Sequence, residues 1–169
     1  MKHLSYSLLF ITSLTFVWSA CAQTKKTTAV KSATSYARVI EANRYRTLPG
    51  APGMEPTDEY RLLIVWKHKQ QPEEFFWRGA GGWLPCDVAK AHRNPHATEG
   101  QRWYTVEEIA INKIKAGDTL ELLPVAGGKF PIPAEIPSSA VNTIYLKTKK
   151  TSWLALPVKN IRKHDEVMQ

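Results

Sequence analysis

The sequence predicts a mainly β protein, a single sandwich or small barrel that follows a cleaved export signal and a flexible tether. Three observations predict it. Short runs rich in β-branched and aromatic residues recur along the chain. Glycines and prolines fall between those runs, where they read as turns and extended connections. A helical stripe is approached in only one place, Thr105–Lys115, so the alternative is an α+β domain with one helix there.

Residues 1–22 read as the export signal. Lys2 and His3 precede an apolar run from Leu8 to Trp18, which ends in Ser19-Ala20-Cys21-Ala22. That run is too short to span a bilayer, which takes about 20 apolar residues. Ala20-Cys21-Ala22 is a small-x-small triplet that suits cleavage before Gln23. Ser19-Ala20-Cys21 also resembles the end of a bacterial lipoprotein signal, which implies cleavage before a lipidated Cys21; Trp18 stands where that pattern prefers an aliphatic residue. The expected location is therefore extracytoplasmic, either periplasmic or secreted, with a lipid anchor to a bacterial membrane if Cys21 is acylated.

Residues 23–35 are polar and basic, with too little apolar surface to offset their ordering entropy, and read as a tether. Residues 36–164 are expected to form one domain and 165–169 a charged tail. About 130 residues can bury a sizeable core. The formal charge is +8, and loss of Lys2 with the signal lowers it by one.

Tyr36–Glu41 begins the fold as a strand. Thr47–Pro56, with three prolines and two glycines, is a loop. Tyr60–Lys67 is the clearest strand, apolar on both faces in its middle and so central. Glu74–Arg78 is the return strand of a hairpin, Gly79–Gly82 a turn and Trp83–Cys86 a short extended piece. Asp87 is placed to cap a helical turn, Val88–Arg93, that Asn94-Pro95 must stop. Thr105-x-x-Glu108 fits a capping box, but Ile111 and Lys113 spoil the apolar stripe, so an edge strand ending at Lys115–Asp118 is preferred. Thr119–Leu123 alternates as a strand. Val125–Ser139 is an extended, proline-rich connection. Asn142–Lys147 and Ser152–Leu156 form a second hairpin about a lysine-rich turn, and Val158–Ile161 extends the last strand.

Two sets of residues carry functional expectations. Cys86, at the start of the expected helical turn, would gain thiolate character there, and His92 or His96 could serve as its base. A Cys86-x5-His92-x3-His96 metal set is disfavoured, because Pro95 keeps the two imidazoles off one helical face. No cofactor motif is present: Gly79-Ala80-Gly81-Gly82 lacks the Lys-Ser/Thr of a phosphate loop.

The second set is aromatic and basic. Trp66 and Trp77 read as core, whereas Trp83, Trp103 and Trp153 lie near turns and are expected at the surface as stacking platforms. Lys147, Lys149 and Lys150 begin a basic strip that continues through Lys159, Arg162 and Lys163. It suits an anionic glycan, a lipid headgroup or an envelope protein, and lacks the motif order of a nucleic-acid reader. The expected function is thus a non-catalytic binding module of the cell envelope. The alternative is a small envelope enzyme with a Cys86–His92 or Cys86–His96 nucleophile. Oligomeric state leaves no mark in the sequence.

Overall fold

The computed structural model describes residues 30–48, 56–98, 104–125, 136 and 140–165. Among them are ten strands and no α-helix. They are β1 (Lys31–Ser32), β2 (Ala37–Thr47), β3 (Thr57–Trp66), β4 (Pro72–Gly79), β5 (Gly82–Arg93), β6 (Tyr104–Glu108), β7 (Thr119–Pro124), β8 (Thr143–Thr148), β9 (Leu154–Pro157) and β10 (Arg162–Asp165). All belong to one open sheet in the order β1-β9-β8-β4-β5-β7-β3-β2-β10, with β6 paired to β5.

This sheet doubles back on itself as two facing layers. Leu62, Ile64 and Trp66 of β3 and Leu120 and Leu122 of β7 pack in one cluster with Phe75 and Trp77 of β4 and with Ile144, Leu146, Leu154 and Leu156 of β8 and β9. The rings of Tyr60 and Trp77 lie 5.3 Å apart and those of Trp66 and Phe75 6.1 Å apart. Both pairs join β3 to β4, strands that share no hydrogen bonds, so they mark face-to-face packing; the expected hairpin of Tyr60–Lys67 with Glu74–Arg78 does not form, because the connection between them crosses from one layer to the other. The expected mainly β fold is present, and β3 is central between β2 and β7 as its apolar middle requires.

The fold begins before Tyr36. Ala33 is fully buried and its N–H donates to the Ala155 carbonyl, so residues 31–35 belong to the domain and not to the tether. Residues 49–55, Trp103, Cys21, most of 126–139 and 166–169 lie outside the described residues.

β5 overturns the expected helical turn at Val88–Arg93. Its 12 residues run unbroken: Gly82–Pro85 pair with β4, Cys86–Lys90 with β7 and Ala89–Arg93 with β6. Backbone pairing on both edges outweighs the modest helical preference of Ala89, Lys90 and Ala91. In Thr105–Lys115 the strand reading holds as far as Glu108. A 3-10 turn, Ile111–Lys113, follows and delivers Ile114 into the core. No helix stands there to support the α+β alternative.

Val158–Ile161 does not extend β9. It crosses from one layer to the other, burying Val158 on the way, and β10 then pairs in parallel with β2 from Asn43 to Arg46. His164 stacks on Tyr45 at 4.7 Å and its Nε2 lies 3.0 Å from Asn43 Oδ1, which helps to hold β10 in place. Ala33–Tyr36 makes the other crossing, from β1 to β2, and is the first in chain order, with Val158–Ile161 the second. Both crossings lie on the open side of the folded sheet, where β2 meets β9.

Candidate functional site

Cys86 and His92 lie six positions apart on one extended strand. At about 3.3 Å per residue their Cα atoms stand roughly 20 Å apart, far beyond hydrogen-bond reach. The two groups therefore form no pair. His92 instead places Nε2 3.2 Å from Glu107 Oε2 across the β5–β6 ladder. His96 lies beyond the end of β5, exposed, with its N–H donating to Asn94 Oδ1.

Without a helix, the dipole expected to activate Cys86 is missing. Enclosure of its sulfur pushes the thiol pKa up, the Asp87 carboxylate adds to this, and a hydrogen bond with the Trp77 backbone offsets only part of it. This is a structural thiol's environment. Among the described residues, no group of three or more His, Cys, Asp or Glu side chains is placed to hold a metal ion.

The aromatic expectations divide. Trp66 and Trp77 are fully buried core residues. Trp153, expected at the surface, is 3% exposed. It packs edge-on against Phe76 at 5.6 Å in a second cluster with Tyr145 and Ile136 on the outer face of the β4–β8–β9 layer. Strand alternation explains this: Phe75 and Trp77 face the main core, so Phe76 faces outward and needs its own cover. Trp83 is half-buried, 4.8 Å from Tyr145, with the Arg78 guanidinium 5.7 Å from its ring. Trp153 is thus no stacking platform, whereas Trp83 keeps part of its surface exposed. Trp103 lies outside the described residues.

The basic strip is not one surface. Lys147 is half-buried, its ammonium 5.8 Å from the Trp153 ring. Lys149 and Lys150 are exposed in the β8–β9 turn, Lys159 belongs to the second crossing, and Arg162 and Lys163 lie on β10. Lys159 is the member that meets a cavity.

That cavity, of about 440 Å³, lies on the open side of the sheet where the two crossings run. Its walls are Thr34 of the first crossing, residues Ala37–Glu41 of β2, Lys67, Leu156 and Pro157 of β9, and Lys159 and Asn160 of the second crossing. β10 covers the edge of β2 only from Asn43 onward, which leaves Ala37–Glu41 beside the cavity.

Three cations line it: Arg38, Lys67 and Lys159. Among the described residues, Arg38 and Lys159 have no carboxylate partner, and the Lys67 ammonium donates to the Thr34 carbonyl at 2.8 Å. Glu41 is the one acid in the lining. Its Oε1 is already engaged, 3.5 Å from Arg162 and accepting from Asn43 Nδ2 at 3.0 Å.

A β-bulge shapes the wall. β2 pairs Val39 with Ile64 and Glu41 with Leu63, so Ile40 is an extra residue. The inward positions consequently step from Ala37 and Val39 to Ala42, and Ile40 is left 41% exposed at the cavity. Sequence reasoning found Lys159 but missed Arg38 and Lys67. The only available signal was the broken alternation of Ala37-x-Val39-x-x-Ala42.

Comparison of the chain with protein-family models, with curated proteins and with solved structures gives no match.

Proposed function

We propose that this protein is a non-catalytic binding module of the cell envelope that takes an anionic ligand, an acidic glycan or a lipid headgroup, in the cleft between β2 and β9. One observation carries the reading. Three cations line a cavity whose single acid, Glu41, already has the Arg162 guanidinium 3.5 Å away. Exposed cations that line one cleft raise its positive potential and draw anions to it.

The export-signal pattern of residues 1–22 supports an extracytoplasmic site of action. If Cys21 carries the lipid, 12 residues lie between it and Thr34 at the cavity. Fully extended, that length spans at most about 45 Å, so the cavity would stay close to the membrane surface.

An array of acidic glycans and anionic lipids, probed at low and physiological salt, tests the reading. The expected result is salt-sensitive binding that Arg38→Glu and Lys159→Glu abolish and Lys150→Glu, away from the cavity, spares. Binding untouched by the first two substitutions, or lost equally with the third, would overturn it. Mass spectrometry of the mature N-terminus decides between anchored and free forms.

A further inference from the structure

Resting on the anion-binding reading above, we infer that the cleft takes a phosphate monoester joined to a short aliphatic group. Charge supplies the first argument. Arg38, Lys67 and Lys159 present three positive charges, while Glu41 is paired with Arg162 at 3.5 Å. A carboxylate or a sulfate ester brings one negative charge. A phosphate monoester brings about −1.5 to −2 at pH 7 and three strong acceptor oxygens. A guanidinium takes two such oxygens in parallel, and ammonium groups supply point charges for the third.

Shape supplies the second. The bulge leaves Ile40 41% exposed beside these cations, where Val39 and Leu156 continue the apolar wall. A bare anion would leave that wall wet; an alkyl segment next to the phosphate covers it. The volume of about 440 Å³ falls within the range of small-molecule pockets. A phosphatidate headgroup and a soluble alkyl phosphate share this chemistry.

Calorimetry with inorganic phosphate, methyl phosphate and butyl phosphate on the mature chain tests it. Each buried methylene corresponds to about fourfold in affinity, so butyl phosphate is expected to bind at least roughly tenfold more tightly than methyl phosphate. Ile40→Ser should remove most of that ratio, whereas Arg38→Ala should weaken all three and leave the ratio in place. Equal affinity for the methyl and butyl esters, or a ratio unchanged in Ile40→Ser, overturns the inference and leaves the anion-binding reading intact. Binding of acidic glycans but of no phosphate does the same. Failure of every anion to bind overturns both. Sedimentation with phosphatidylcholine vesicles containing phosphatidate separates the sources: Arg38-dependent pelleting assigns the phosphate to a membrane lipid, and butyl phosphate binding without pelleting assigns it to a soluble ester.

Discussion

The Trp77 indole fills the space that a side chain at Gly79 would need: a Cβ there would lie 2.7 Å from Trp77 Nε1. Trp77 is fully buried and touches Tyr60 across the layers, so it cannot swing aside. Gly79→Ala is expected to cost about 1–3 kcal/mol, as overpacking of a core does. A urea midpoint shifted down at unchanged slope would show this; a midpoint equal to wild type would refute it. Gly82, at φ 131° across the same two-residue turn, should also resist substitution, for backbone rather than packing reasons.

The Cys86 thiol should react slowly. Its partly buried position against the core and its raised pKa predict that a disulfide reagent at pH 8 modifies the native protein more slowly than the urea-unfolded chain. Cys86→Ala is expected to leave ligand binding intact. Rapid native-state modification would restore the case for a reactive cysteine.

Trp153→Ala should behave as a core truncation, costing about 3–5 kcal/mol. Its ring is buried against Phe76, and the tryptophan emission of the wild type should resist quenching by acrylamide at Trp66, Trp77 and Trp153 alike. A Trp153→Ala protein of wild-type stability would contradict the packing described for the outer face.

Asp118 links stability to pH. Burial opposes its ionisation, but the Lys90 ammonium at 2.8 Å and the Lys115 N–H at 2.8 Å outweigh that and hold the carboxyl below the ordinary range. A pKa lower in the folded than in the unfolded state adds stability above the unfolded value of about 4, and that contribution disappears as pH falls through the folded value. Asp118→Asn should therefore lower stability at pH 7 by about 1 kcal/mol and leave it unchanged near pH 2. Parallel urea titrations at the two pH values check the sign.

How far the sequence revealed this fold depends on where each element's partners lie. The β3 run, the β4 strand, the β8–β9 hairpin and the burial of Trp66 and Trp77 were legible, because apolar patterning and adjacent turns are local signals, but the pairing of β4 with β5 and β8 instead of β3 was not. The second half of β5 was not. Ala89-Lys90-Ala91 carries little strand preference, and it is extended because β6 and β7 pair with it from opposite edges. Trp153 sits next to a turn, yet Phe76 and Ile136 bury it; neither is near it in sequence. The cleft was least visible. Arg38, Lys67 and Lys159 meet through parallel pairings, β1 with β9 and β2 with β10, that leave no trace in neighbouring residues.

Those parallel pairings give the cleft a property of timing. One wall comes from residues 34–41 and the facing wall from residues 156–160, near opposite ends of the polypeptide. A chain made from its N-terminus has no such cleft until residues 156–160 have emerged, and any product cut short before Leu156 has none at all. The proposed capacity to hold an anion would therefore arise only once β1 and β2 have found β9 and β10.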